Sequence, residues 1–530
     1  MRLRTPIALI VVCGLALMLA GCSIPSTQSD YIRVYGTEPQ VGLVTTNTAE
    51  TGGGWPVDLL FTGLYTYDVD GNSVPAMVDT LTTTDSQHYT ITIKRGWKFS
   101  DGTEVKAHNY VDAWNFGAYT PNAQRQQSFF APIEGYAQVA ADQPTAKTMS
   151  GLTVTGDYSF TVTLTRPTID FRKALGFTPF KPLPDVAFKD INAFGEHPVG
   201  NGPYKFKQWR HNLQLDLAAD PTYPGPNKAR NKGISFVIYA STDTAYTDLL
   251  AGNLDVISPL PTSALRTYKK ELGARALRRD TAGLSWIAIP TFLPHFAAGE
   301  EGTLRRQAIS MAIDRPQIIK TIFVGIGSPA REFTAPSLPG FNPDVPGSDV
   351  LKYNPTRAVQ LWDQANRIAP WSGSFVIASN AEGGNKEWID AVCNDISNVL
   401  HIDSHAQMVP TFKQLLDQTT SGTIRSAFRG GWLADYPSML EFLEPNWQSG
   451  AGNNLVAYSN PAYDALLQQA ESQINLTDSY RYVSKAQEIL LTDLPGIPFN
   501  YASTTAGVSE GTKAQIMWNG TIDYANITKE

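Results

Sequence analysis

The residues of this chain best suited to chemistry lie in one short run, Arg429-Gly430-Gly431-Trp432-Leu433-Ala434-Asp435-Tyr436-Pro437. The fork of Arg429 suits a carboxylate bidentately, and it serves equally well to brace a pocket. Six residues on, Asp435 is either a solvated loop acid or a charge waiting for a cation, and by residue type alone acids are usually exposed. Trp432 and Tyr436 offer flat walls with polar tips. No bond-making motif accompanies them: Gly-x-Ser-x-Gly, His-Glu-x-x-His, Walker and Cys-x-x-Cys patterns are all missing. His401, Asp403 and His405 alternate, so on a strand they share one face as a conceivable metal trio. At a helix–strand junction such groups are more often ordinary surface residues. Gly325-Ile326-Gly327 follows a helical pattern, not the strand a dinucleotide loop requires. Neither a metal nor a cofactor is expected, and an enzyme is not expected.

The elements that must position these residues fall into two regimes. Apolar residues at every second position predict half-buried strands over 31–35, 89–93, 160–164 and 213–217. The nearly continuous apolar run 234–239 suits a strand covered on both faces. From about residue 300 the spacing becomes helical, predicting helices over 304–322, 356–368, 388–400, 463–474 and 480–491. Asn354-Pro355 and Asn460-Pro461 read as helix starts. A large mixed α/β protein of several subdomains follows.

Composition narrows the partners. Of 530 residues, 42% are hydrophobic and 17% charged, so disorder driven by charge is excluded. A formal charge of −7 without a Lys/Arg run gives no footprint for nucleic acid. The N-terminus carries an address. Arg2 and Arg4 precede an apolar stretch over 7–20, about 21 Å as a helix against a hydrocarbon core of ~30 Å. That is the pattern of an export signal, not of a permanent span. It ends in Leu19-Ala20-Gly21-Cys22, which resembles the bacterial lipobox, where cleavage precedes a lipidated Cys. Residues 23–30 then read as a tether. Cys13 leaves with the signal and Cys22 carries lipid, so Cys393 alone remains and no internal disulfide is available.

Further segments carry a family resemblance. They are Ile93-Lys94-Arg95-Gly96-Trp97-Lys98-Phe99-Ser100-Asp101-Gly102-Thr103-Glu104-Val105-Lys106-Ala107, with Trp114 beyond; Gly200-Asn201-Gly202-Pro203-Tyr204; and the run from Arg429 to Pro437. Phe61-Thr62-Gly63-Leu64 and Ala312-Ile313-Asp314-Arg315 also fit, in order. Together they resemble the oligopeptide- and dipeptide-binding proteins of ABC importers, extracytoplasmic solute-binding family 5. The first two segments read physically as fold elements, with Trp97 and Phe99 in the core and Asp101-Gly102 a turn.

The resemblance implies an α/β fold: a two-lobed, periplasmic-binding-protein-like clamshell with an extra inserted subdomain. Its expected parts are a signal peptide (1–21), lipidated Cys22 and tether (22–30), lobe I (31–58, 186–277 and 505–530), the inserted subdomain (59–185) and lobe II (278–504). It implies that Asp435 pairs with a peptide's α-ammonium by charge-assisted hydrogen bonding, that Arg429 meets a ligand carboxylate or braces the pocket, and that Trp432 and Tyr436 form walls. Glu38 matches a position that approaches bound peptide, and Phe412 an aromatic wall one residue farther from Arg429 than in the family pattern. The sequence departs from that pattern in lacking Leu-Asp-Pro after the first strand, in having no His around 381–385, and in having Leu433 where some members hold a smaller or sulfur-bearing residue. The implied protein is a lipid-anchored, monomeric receptor facing outside the cytoplasm. It passes peptide to an ABC permease and ATPase. Rival readings keep the fold with an oligosaccharide, nickel chelate or haem as ligand, or make it a signal receptor that feeds no transporter.

Overall fold

The computed structural model describes residues 30–381 and 385–530. The signal, Cys22 and nearly all of the tether lie outside the described residues. The alternating patterns do form strands: Ile32–Gly36, His88–Ile93, Ser159–Thr163, Gln214–Ala219 and Gly233–Ile238, each within two residues of its expected bounds. The helical patterns mostly form helices. Asn354 caps Pro355–Ile368 by accepting from the Arg357 amide at 3.0 Å, and Asn460 caps Pro461–Glu471.

The expected helix over 304–322 is two helices, Glu300–Ala312 and Arg315–Thr321. Pro316 is the cause. It has no amide proton to donate and its ring crowds the preceding turn, so the chain restarts with Asp314 capping the Gln317 amide at 3.0 Å. The two-regime division also fails in part. Helices Thr51–Leu60 and Ala107–Ala118 lie in the first half, and strand Ala427–Leu433 lies far into the second.

The largest sheet runs in the order Ser404–Val409, Phe375–Asn380, Ala427–Leu433, Ala276–Ala288, Gly496–Val508, Val256–Ile257, Ile32–Gly36, Gly233–Ile238, Gln214–Ala219, Tyr204–Arg210. Two 13-residue strands at its middle, Ala276–Ala288 and Gly496–Val508, hold the two halves together. Their ladder is interrupted. Residues 276–280 pair with 507–503, and pairing resumes only at Leu284 opposite Tyr501. In the gap, Ala282 donates its amide to the Trp518 carbonyl at 2.8 Å and accepts from the Ala434 amide at 2.9 Å. The backbone groups freed by the interruption are thus satisfied by the C-terminal segment on one side and the 429–437 run on the other. Below the gap the sheet contains Ile32–Gly36, and above it Ala427–Leu433, so these strands join the two lobes of the fold.

Apolar side chains pack into separate clusters on either side. One unites the four-stranded sheet around His88–Ile93 with Ile32, Phe236 and the C-terminal Ile522 and Ile527, and Trp97 and Phe99 are buried in it. Two others lie beside the upper half, around Trp286, Trp447 and Tyr501 and around Ile289, Trp388 and Phe499. Cys393 is buried in the last of these, where burial pushes its thiol pKa up to about 11.

Candidate functional site

Strand Ala427–Leu433 is held along one edge by Ala276–Ala288, from Gly283 opposite Leu433 to Ala288 opposite Phe428. Along its other edge only Ala427 and Phe428 are paired, with Ile377 and Ala378. Residues 429–433 therefore present a strand edge without a strand partner among the described residues. Such an edge is a template for another extended backbone.

Past the strand the chain is fastened again. Lys173 donates to the Pro437 carbonyl at 2.9 Å, and the Ser438 hydroxyl donates to Asp170 at 2.5 Å. A segment pinned at both ends has little freedom, and Asp435 stands between the pins. Its amide donates to Oε2 of the buried Glu441 at 2.9 Å, and the same oxygen accepts the Trp432 indole N–H at 3.3 Å. Glu441 thus sets both the loop carrying the acid and the wall beside it.

Two cavities meet here. One, of about 530 Å³, lies against strand Ala427–Leu433 and helix Phe412–Thr420, and its walls include Arg429, Trp432, Leu433, Phe412, Leu416, Trp286 and Trp447. The other, of about 620 Å³, lies on the side of the C-terminal segment and the first core, walled by Trp55, Tyr65, Tyr67, Tyr223 and Trp518. Among the described residues Asp435 alone lines both. Its carboxylate is exposed into this cleft but sits deep among protein atoms, and loss of hydration pushes its pKa up to about 6. Glu441 is pushed well above the usual carboxylate range, by burial first and then by the charge of Asp435. A carboxyl that pays for its charge in the empty site gains most from a cation.

Arg429 is the complementary charge. Its guanidinium lies 5.8 Å from the centre of the Phe412 ring, and it has no carboxylate partner among the described residues. Burial lowers its pKa. Asp435, Arg429, Trp432 and Phe412 are therefore brought to one cavity. Tyr436 and Glu38 are not. Tyr436 turns away toward Phe177, with ring centroids 6.5 Å apart, and toward the buried Asp170. Glu38 is engaged elsewhere, accepting from the Asn212 amide at 2.8 Å and lying 2.9 Å from Nδ1 of His211. The histidine–aspartate trio does not assemble. Residue 401 lies before the strand that begins at Ser404, and no group of three placed to hold a metal ion occurs among the described residues.

Sequence reasoning missed Glu441, Trp286, Trp447 and Leu416. Alternation at Leu284, Trp286 and Ala288 signals the strand that contributes Trp286. Nothing local marks Glu441, whose partners are made by the fold.

The model of bacterial extracellular solute-binding proteins, family 5 middle region, matches residues 72–454. The oligopeptide-binding protein OppA of Bacillus subtilis is 26% identical over 471 residues, 86% of this chain and 85% of that protein. The periplasmic oligopeptide-binding protein OppA of Salmonella typhimurium is 25% identical over 452 residues, covering 83% and 81%. Among solved structures, the unliganded open form of the murein tripeptide-binding protein MppA superposes with a TM-score of 0.82 at 20% identity, covering 94% of this chain and 97% of that one. Haemophilus influenzae OppA in complex with the peptide RPPGFSPFR gives 0.71 at 22% identity, covering 94% and 99%.

Proposed function

The chain belongs to the bacterial extracellular solute-binding proteins of family 5, and from that membership we propose that it captures peptides between its lobes and delivers them to an ABC permease and its ATPase. One observation carries the reading: Asp435, between two cavities and at the end of an open strand edge, is the single wall they share among the described residues. The α-ammonium of a peptide pairs with this carboxylate, its backbone adds to the edge of residues 429–433, and Arg429 takes a carboxylate. The oligopeptide-binding names of the relatives support the ligand class.

In this reading residues 31–58, 186–277 and 505–530 form lobe I, 59–185 the inserted subdomain and 278–504 lobe II. The ladder interruption at 281–283 is the hinge, and closure on ligand should shrink the radius of gyration in solution scattering. Equal curves with and without bound peptide would count against a hinge there. Lipid on Cys22 tethers the monomer to the outer side of the cell membrane, so Cys22→Ser should release it into soluble fractions. Continued membrane association of that variant would remove the anchor from the proposal.

Calorimetry tests the ligand. Asp435→Ala should weaken binding of an alanine tripeptide by a hundredfold or more, on the order expected when one partner of an enclosed ion pair is removed. Acetylating the peptide's amine should cost wild type a similar factor and the variant little more. If acetylation costs both proteins the same, Asp435 does not hold the amine. The aromatic walls of the second cavity favour one alternative, an oligosaccharide stacked on Tyr67 and Trp518. Mass spectrometry of ligand released on denaturation decides between them.

A further inference from the structure

The chain has a formal charge of −7, yet cations collect around a third cavity that shares no wall with the two at the cleft among the described residues. This cavity, of about 380 Å³, is walled by Lys94, Arg95 and Trp97 on one side and by Pro224, Gly225 and Pro226 on the other. Lys94, Arg95, the neighbouring Lys98 and Lys228 are all exposed, and none of the four takes part in an ion pair among the described residues. Arg95 lies over the Tyr158 ring, 4.7 Å from its centre, and Lys94 donates to the Ala76 carbonyl at 2.7 Å. The acids beside them are engaged already. Glu104 accepts the Gly96 amide at 3.1 Å and the Tyr158 hydroxyl at 2.8 Å, and Asp157 pairs with Lys106 at 2.9 Å. The proline wall is stiff: a Cβ on Gly225 would stand 2.2 Å from the Tyr223 hydroxyl and 2.8 Å from the Trp97 ring.

We propose that this surface rests on anionic lipid headgroups and so holds the anchored body in one orientation on the membrane; the proposal rests on the anchor reading above. The place where the chain leaves the body identifies the occupant. Residues 220–232 join strands Gln214–Ala219 and Gly233–Ile238, and this one loop carries the cavity's proline wall, Lys228 and Lys232. Lys232 pairs with Asp30, the first described residue, at 2.5 Å. Seven residues separate Cys22 from Asp30, and the eight steps of extended chain reach at most about 29 Å. Lipid on Cys22 therefore keeps this loop within that distance of the bilayer surface. Charge complementarity points the same way. Lipid phosphates attract the unpaired cations and repel the acidic remainder, and both effects turn the loop toward the membrane. A protein partner would need an acid placed opposite each cation, whereas a headgroup layer offers phosphates at every position.

The test uses residues 23–530, which keep every described residue and lack the lipid. They are mixed with vesicles of pure phosphatidylcholine or of phosphatidylcholine and phosphatidylglycerol in equal parts. Cosedimentation should show binding to the anionic vesicles alone, lost as salt rises. Lys94→Gln with Arg95→Gln, and separately Lys98→Gln with Lys228→Gln, should each weaken it about tenfold or more at unchanged Tm, which is the order that two charges near a lipid surface supply. Two independent pairs guard against one that misfolds. Lys352→Gln with Lys485→Gln, both exposed lysines of lobe II, should leave binding as it is. Equal partitioning into both kinds of vesicle overturns the proposal, and so does an equal loss in the lobe II pair. If vesicle binding survives both cavity pairs while peptide import by intact cells falls, the surface meets the permease and the proposal fails. The anchor itself is decided separately, by fractionating cells that carry Cys22→Ser.

Discussion

Two glycine-rich, aromatic segments of this chain, 200–204 and 429–436, look alike as strings and have opposite fates. All five residues of Gly200-Asn201-Gly202-Pro203-Tyr204 are buried, whereas none of the eight from Arg429 to Tyr436 is. In the first, glycine lets backbone meet backbone. A Cβ on Gly200 would stand 1.9 Å from the Leu60 carbonyl oxygen, and Gly202 donates its amide to that same oxygen at 2.8 Å. Asn201 completes the seal, its side chain accepting from the Thr62 amide at 3.0 Å and donating to the Thr62 carbonyl at 2.9 Å. In the second, Gly431 leaves an edge bare and Leu433 and Asp435 stand open to a cleft. A motif whose polar groups are all satisfied internally builds the fold; one that leaves an edge, a charge and an apolar side chain unsatisfied is built for something that arrives later.

Glycine substitution breaks this comparison most forcefully. Gly200→Ala forces backbone apart and should cost about 3 kcal/mol of stability, read as a lower Tm. Gly431→Ala, whose nearest new neighbour is the Leu284 carbonyl oxygen at 3.2 Å, should cost under about 1 kcal/mol and act on peptide affinity instead. Equal losses of Tm would erase the distinction between the two segments.

A pH titration sharpens it next. The carboxyl of Asp435 is raised from 3.8 to about 6, so in the empty protein its contribution to stability is full below about 4 and lost as pH rises through 6. Binding has the opposite sign. The ammonium needs the ionised carboxylate, so affinity should be level above pH 6 and fall by up to tenfold per unit below it. Burial is what raises Asp435, so Glu441→Gln, which stays uncharged and can still accept the Asp435 amide, should leave the onset of that fall nearly where it is. Asp435→Asn should flatten the profile. A profile that keeps its fall in Asp435→Asn assigns the titration to another group.

The smallest expected effect concerns Arg429. Arg429→Met should weaken a free-acid peptide several-fold, roughly 1 to 2 kcal/mol, and leave its C-terminal amide unchanged. Equal weakening of acid and amide would mean that the guanidinium braces Phe412 and never meets a carboxylate.

Much of the fold was legible because its signals are local. Period-two patterns such as Tyr89, Ile91 and Ile93 become buried strand faces whatever surrounds them. Caps such as Asn354 and Asn460 act within four residues, and Pro316 split a helix that periodicity alone would have drawn through it. Asp435, Arg429, Trp432 and Phe412 were identifiable as a group by resemblance, and the structure gathers them at one cavity. Glu38 and Tyr436 fitted the pattern as well, but each turns to a partner in another element, His211 for Glu38 and Asp170 for Tyr436. No spacing along the chain announces such partners.

The sequence by itself determined the family, most of the strands and helices, and the residue types at the cleft. Those follow from interactions within a few residues or from motifs read in order. Only the tertiary structure decided that Asp435 is the wall shared by two cavities, that Glu441 holds it, and that Leu433 lies open across the joint at Gly283. The first and last depend on strands and loops distant in sequence, and the second on how the loop carrying Asp435 folds back onto helix Leu440–Trp447. Solvation and electrostatics at a cleft are set by everything that surrounds it, and that enclosure exists only after the chain has folded.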